Sequence, residues 1–365
     1  MYPAKTGGKK FIALFCEYLN NVEPITLISV TDNEVPAALQ NNFIGLMNSS
    51  VLRYANPLLF FKLRRIIKQQ GITDIIMVHP YFGWLVALLK FFTGVQLSLL
   101  SHNIESIRFK SMGKWWWRIM WWYEKNTHRI IDHNFFVTPE DAAFAIAHYK
   151  LSTNKCHVIT YGIEWQQAPS LQSQQQCGTI LRERYNIQTN ETIILFNGTL
   201  DYLPNAEAVD YILNNINPLL LAHTNYHYKI IICGKGLADR YEQLTSYQDK
   251  NIIYAGFVDD INIYFKGADI FINPVISGGG IKTKLVEALG NNLTAISCAN
   301  GALGIPQQIV GEKLTIVPDF EWQTFVNAII KAPITTQIGP DFFNYFYWGN
   351  IAAKAAGIIT SKTHK

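Results

Sequence analysis

Short apolar runs rich in β-branched residues alternate with helical patterns along almost all of the 365 residues. Such alternation argues for parallel sheets built from βαβ units. In the first half the expected strands are Thr26–Val30, Asp74–Val78, Val95–Leu100, Asn134–Val137 and Lys155–Thr160. In the second half they are Thr192–Phe196, Lys229–Cys233, Asn251–Tyr254, Asp269–Asn273 and Leu293–Ser297. After Val137 the helix start is explicit: Thr138 caps, Pro139 takes the first helical position, and Asp141 stands three residues after the cap in "TPEDAAFAIAHY". From Asn205 onward Val209, Ile212, Leu213 and Ile216 form a stripe of 3.6-residue period that packs on a sheet.

A chain this long exceeds one ordinary core and suits two domains. The stretch "EWQQAPSLQSQQQCG", residues 164–178, is polar, Gln-rich and contains Pro, so it reads as the linker. The expected division is residues 1–163 as an N-terminal, acceptor-binding domain and 164–190 as the linker with the helix leading out of it. Residues 191–340 form a C-terminal donor-binding domain, and 341–365 a closing helix that crosses back to the first. Two open α/β sheets facing across a cleft would present their strand C-terminal loops at its mouth, where ligands of such sheets bind.

Composition removes several other classes. The five cysteines (16, 156, 177, 233 and 298) contain no CxxC pair, so neither a disulfide frame nor a zinc ribbon is expected. His223 and His227 are the one histidine pair at helical spacing and have no carboxylate pattern beside them, so no metal site is expected. The apolar stretch from Trp84 to Leu100 is broken by Lys90, Gln96 and Thr93-Gly94 into a helix and a strand rather than a membrane span. "MYPAKTGGKK" carries positive charge with no apolar segment behind it, so no signal peptide is expected and the chain is placed in the cytoplasm. Residues 1–165 hold 17 Lys and Arg against 11 Asp and Glu, and the remainder 14 against 16. That imbalance is too small for a nucleic-acid partner and suits a membrane surface or polyanion beside the first half.

The chemistry is concentrated in "INPVISGGGIKTKLVEALGNNLTAIS", residues 272–297. A strand ends at Asn273-Pro274, Gly278, Gly279 and Gly280 make the turn, and a helix starts near Lys282 and ends near Gly290. Glycyl backbone lets N–H groups approach an anion, the helix start contributes about half a positive charge, and Lys282 and Lys284 add full ones. A diphosphate fits that description without a metal. Glu287, one and a half turns in, suits ribose hydroxyls. The bland alternative is a flexible turn before a solvated basic helix start.

This stretch resembles the donor-site signature of the GT-B glycosyltransferases of family 4, the group 1 glycosyltransferases. The remaining pieces follow that family's order: "YPAKTGG" is similar to its N-terminal glycine loop and "SHNIESIRFK" to its histidine loop. "IIDHNFFVTPED", "ILFNGTLDYLPNAEAV", "YAGFVDDINIYFKGADIFINP" and "FYWGNIAAK" fall into place after them. The resemblance implies an α/β protein of two Rossmann-like doubly wound domains. It implies a retaining, metal-independent hexosyltransferase-type enzyme with no cofactor, whose substrate is a nucleotide-sugar. It places the donor at Gly198, Lys282, Lys284 and Glu287, with Gly278, Gly279 and Gly280 at the phosphates and Gly7 and Gly8 approaching them. His102 lies over the transferred sugar, and Asn103 and Glu105 stand on the acceptor side. Two neighbouring readings share the architecture: a nucleotide-sugar epimerase, and a catalytically silent GT-B protein that binds or scaffolds. Three features depart from the family pattern. Gly279 stands where many members carry a glutamate, "GTLDYLPN" lacks the usual Arg and Lys, and the chain opens at Met1-Tyr2-Pro3 where members carry a hydrophobic strand. The first sheet is therefore expected to lack a central strand or to be completed upstream.

One motif is not explained by the donor site. "GKWWWRIMWWYEK" spreads Trp115, Trp116, Trp117, Trp121 and Trp122 around most of a helix, with Arg118 in a gap. The bland reading is a helix wedged against the sheet, or a dimer contact. The sharper one is a helix at a membrane interface, joined by the basic amphipathic "LLFFKLRRIIKQQ", which holds the enzyme peripherally on the cytoplasmic membrane beside a glycan or lipid-linked acceptor.

Overall fold

The computed structural model describes residues 7–361 and resolves into two compact units, Met1–Glu164 with Phe346–Lys365, and Trp165–Tyr345. In the second unit six parallel strands take the order β12-β11-β10-β7-β8-β9. Their ranges are β7 Thr192–Asn197, β8 Tyr228–Cys233, β9 Ile252–Gly256, β10 Ile270–Asn273, β11 Thr294–Cys298 and β12 Leu314–Val317. Strand order runs outward in both directions from the β7/β10 pair, so this is a doubly wound sheet with its switch point between those strands. Ile193, Ile194 and Leu195 have no exposed surface, as a central strand covered on both faces demands. At about 1.5–3 kcal/mol per fully buried side chain, such strands supply much of the drive to fold. The stripe Val209, Ile212, Leu213 and Ile216 is buried against this sheet as its period requires, although the helix Leu203–Tyr211 passes into a π-turn at Ile212–Ile216.

In the first unit β3 (Asp74–Val78), β4 (Gln96–Ser101), β5 (His133–Phe136) and β6 (Cys156–Val158) form a parallel sheet in sequential order. A separate parallel pair joins β1 (Leu27–Val30) to β2 (Phe43–Met47). β2 and β12 escape the sequence reading because each is a four- or five-residue strand whose faces are only partly buried or mixed. The cap after β5 is formed as expected, Thr138 Oγ1 accepting from the Asp141 N–H at 3.1 Å. The first described element is the helix Gly7–Asn20. Trp348, at the head of the closing helix Trp348–Thr360, is fully buried in this unit against Phe11 and Tyr161.

The Gln-rich segment differs from a plain linker. Residues 164–170 are irregular, but Leu171–Tyr185 is one helix, capped by Ser170 Oγ accepting from the Ser173 N–H at 3.2 Å. Glutamine propagates a helix well, and a Ser cap with Leu181 as the buried anchor outweighs the segment's polarity.

Candidate functional site

Each unit presents its own constellation at strand C-terminal ends. In the second, the loops after β7 and β10, the two strands flanking the switch point, carry Gly198 and the turn Gly278–Gly280. Gly278 and Gly280 adopt φ of 80° and 71°, the left-handed region that favours glycine. A Cβ on Gly278 would stand 3.2 Å from Pro204 Cγ and 3.3 Å from Tyr202 Oη, so the loop after β7 lies against the turn. Ser277 Oγ donates to Glu207 Oε2 at 2.5 Å and Asn300 Nδ2 donates to Gly278 O at 3.3 Å, fixing it from two further sides. The helix that follows is Thr283–Gly290, with Lys282 at its N-cap position.

Both lysines are engaged within the protein. Lys282 Nζ donates to Gly278 O at 2.9 Å and to Gly280 O at 3.2 Å, clasping the turn. Lys284 Nζ donates to Glu287 Oε2 at 2.8 Å, joining a 40% exposed side chain to a buried one. Lys282, Lys284, Glu287 and the three glycines are thus brought together around one helix start. Gly198 closes β7: a Cβ there would sit 2.7 Å from Asn205 Nδ2, so the helix Leu203–Tyr211 starts close against it.

The sequence reading passed over Gly234, which directly follows β8 beside Gly198. Its φ is 146°, and a Cβ would lie 1.8 Å from Gly198 O. "ICGKG" directly after a buried strand is the signal that marks it.

In the first unit the constellation is built on β3, β4 and the helix Glu105–Ser111. Glu105 is 1% exposed; its Oε2 accepts from Tyr81 Oη at 2.7 Å and from Arg108 Nε at 2.9 Å. His79 Nδ1 lies 3.5 Å from Oε1. Burial by itself would raise the Glu105 carboxyl, but the adjacent His79 imidazole and the hydrogen bonds from Arg108 and Tyr81 prevail and hold it down at about 2, so it is ionised throughout the physiological range. His102 sits at the end of β4, its ring edge-on to Phe11 at 4.4 Å. Burial above all, with His79 beside it, pushes its imidazole down to about 3 against the pull of Glu105, so it stays neutral. A neutral imidazole offers one donor and one acceptor, which suits sugar hydroxyls better than phosphate.

Beneath this cluster lies a residue the sequence reading gave no role. Glu124 is fully buried and accepts from the backbone N–H groups of Glu105 and Ser106, at 2.8 and 2.9 Å, and from Tyr149 Oη at 2.8 Å. It caps the helix that carries Glu105 from the next helix, Trp117–Ile130. Nothing in the local sequence signals a cap supplied from 19 residues away.

The remaining candidates are placed as follows. Asn103 is half-buried, and its carbonyl accepts from Ser101 Oγ at 2.9 Å. Gly7 and Gly8 open the first helix on its exposed side rather than forming a loop, and residues 2–6 of "YPAKTGG" lie outside the described residues. A Cβ on Gly8 would meet nothing within 4 Å, so space does not demand glycine there. The tryptophans split into two kinds around the helix Trp117–Ile130. Trp116 packs on Phe109 and Trp121 on Tyr149, while Lys110 and Arg118 flank the ring of Trp117. Trp115 and Trp122 are 83% and 64% exposed, together with Ile119. Among the described residues no helix is long and apolar enough to cross a membrane, and no three His, Cys, Asp or Glu side chains are placed to hold one ion.

Comparison with known proteins fits this geometry. Residues 26–167 match the family model for Glycosyltransferase Family 4, and residues 191–332 that for Glycosyl transferases group 1. Anabaena HepE, solved in complex with UDP, is similar over 98% of this chain and 97% of its own, with a TM-score of 0.71 at 15% identity. A Rickettsia africae glycosyltransferase is similar over 97% and 94%, with a TM-score of 0.70 at 15% identity. WaaG, described as a glycosyltransferase of lipopolysaccharide biosynthesis, is similar over 97% and 96%, with a TM-score of 0.62 at 13% identity. An uncharacterised Klebsiella pneumoniae protein of a cps region is 28% identical over 132 residues, a stretch spanning 34% of each chain. The chain belongs to the family 4, group 1 glycosyltransferases and has their GT-B fold of two Rossmann-like domains.

Proposed function

We propose that this glycosyltransferase moves a hexosyl group from a nucleotide-sugar to a glycan or lipid-linked acceptor, with retention at the anomeric carbon, in surface polysaccharide or glycolipid synthesis. One observation carries the reading. The glycyl turn Gly278–Gly280, Gly198 and the start of the helix Thr283–Gly290 converge at the switch point of a doubly wound sheet, with Lys282 and Lys284 beside them. The chemical obstacle is the nucleoside diphosphate, which leaves with growing negative charge. Fixed donors at such a point are worth about 2.7–4 kcal/mol each. Here the lysines, the helix start and glycyl N–H groups meet that charge in place of a metal. His102 holds hydroxyls of the transferred sugar, and Asn103 and Glu105 face the acceptor. The acceptor oxygen attacks from the face the diphosphate leaves, and its proton passes to the departing phosphate oxygen. The complex of HepE with UDP-glucose, the involvement of WaaG in lipopolysaccharide biosynthesis and the cps setting of the Klebsiella protein support a nucleotide-sugar donor and a surface glycan.

Nucleotide release from UDP-, GDP- and dTDP-sugars, with and without acceptor glycan, tests this directly. Turnover that rises with acceptor is expected. An isomerised sugar nucleotide without acceptor indicates an epimerase, and no turnover on any donor indicates the silent protein that Gly279 in place of glutamate keeps in view.

The first unit is proposed to rest peripherally on the cytoplasmic membrane. Trp115, Ile119 and Trp122 are exposed beside the exposed Lys114 and Arg118, and Leu58 and Phe61 beside the exposed Lys62 and Arg65. Indoles and basic heads both find partners at an anionic lipid interface. In flotation with phosphatidylglycerol vesicles the protein is expected to rise with the lipid, and to stay below when Trp115, Ile119 and Trp122 are all alanine. Wild-type protein that remains wholly soluble contradicts this placement.

A further inference from the structure

His79 directly follows β3 and precedes Pro80, with φ 63° and ψ 153°. That region of backbone space is essentially reserved for glycine, and a side-chain-bearing residue held there is strained. The surroundings of the ring show what the strain accomplishes. The imidazole adjoins that of His102, centroids 4.9 Å apart and the planes tilted by 38°, and it also packs against Tyr81 at 5.7 Å. Its Nδ1 points at Glu105 Oε1 across 3.5 Å, longer than a good hydrogen bond. Nδ1 of His79 and Nε2 of His102 are both buried and make no hydrogen bond within the protein. Two orphaned imidazole nitrogens in one cluster are uncommon, because buried polar atoms are normally paired. A relaxed backbone at residue 79 would swing the ring away from both His102 and Glu105.

Resting on the transferase reading above, we infer that His79 is a positioning residue of the sugar site: its strained backbone sets an imidazole against His102 and Glu105 so that the two rings together receive sugar hydroxyls. The role is distinct from that of Glu124, which acts through backbone N–H groups at the start of the helix Glu105–Ser111. Strain at a site is retained where function requires it, so removing it is expected to separate stability from activity.

The test compares the full-length wild type with His79→Gly and His79→Ala. Both variants lose the ring, but only glycine also relieves the backbone. His79→Gly is expected to melt several degrees above His79→Ala, while kcat for nucleotide release from the best donor of the panel falls at least ~10-fold with KM changed less than ~2-fold, the pattern of an interaction made in the transition state. A merely structural histidine would give the reverse: lowered melting with kcat retained. A glycine variant that melts below the alanine variant, or that keeps the wild-type kcat, overturns the assignment to His79 alone. A wild type inactive on every nucleotide-sugar overturns the transferase reading, and the role of His79 with it.

Discussion

Gly234→Ala is expected to cost more than ~4 kcal/mol and to leave the second unit largely unfolded, a size reserved for a few mechanisms such as backbone strain or overpacking. Here both apply. The residue directly follows β8 at φ 146°, which side-chain-bearing residues rarely adopt, and a methyl group would fall 1.8 Å from the carbonyl oxygen of Gly198. That neighbour is backbone directly following the central strand β7, so relief requires moving the chain at the end of the sheet rather than a flexible side chain. Gly234 N–H is also engaged, donating to Gly256 O at 2.8 Å, which ties β8 to β9 at the same level. Urea denaturation followed by tryptophan fluorescence reads the effect. A midpoint close to wild type would show that β7 and β8 are not as close at their C-terminal ends as described.

Lys284→Ala carries the second large expectation: at least a tenfold loss of turnover in a protein that stays folded. The two consequences separate because their magnitudes differ. The pair with Glu287 spans i and i+3 on a helix, with a 40% exposed lysine and a buried carboxylate, so losing it costs on the order of 1–3 kcal/mol, a fraction of the roughly 5–15 that hold a domain folded. A donor lost from a developing oxyanion costs about 2.7–4 kcal/mol, a hundredfold or more in rate. Nucleotide release and melting temperature, measured on one preparation, decide between them. Unchanged turnover removes Lys284 from the site.

Much of the fold was legible because its signals are local. Buried strands such as Ile193–Leu195 appear as unbroken apolar runs, Thr138-Pro139 announces a helix, and the glycine triplet before Lys282 announces a turn that lets backbone approach a ligand. What escaped was non-local. Lys282 was read as a phosphate ligand, and whether its ammonium clasps Gly278 and Gly280 depends on loop geometry the sequence does not encode in any pattern. Glu124 caps a helix that precedes its own, and His79 gains meaning only when β3 and β4 pair in register, Val78 beside Leu100. The glutamine-rich stretch misled for a different reason: polarity marks exposure, and an exposed helix is as polar as a linker.

Everything functional proposed for the chain depends on the second unit receiving a diphosphate at the start of the helix Thr283–Gly290. A crystal structure of the protein with UDP is the most direct measurement. The account predicts both phosphates within hydrogen-bonding distance of the Gly278–Gly280 backbone or of the Lys282 and Lys284 ammonium groups. UDP bound elsewhere, with that turn unoccupied, would contradict it.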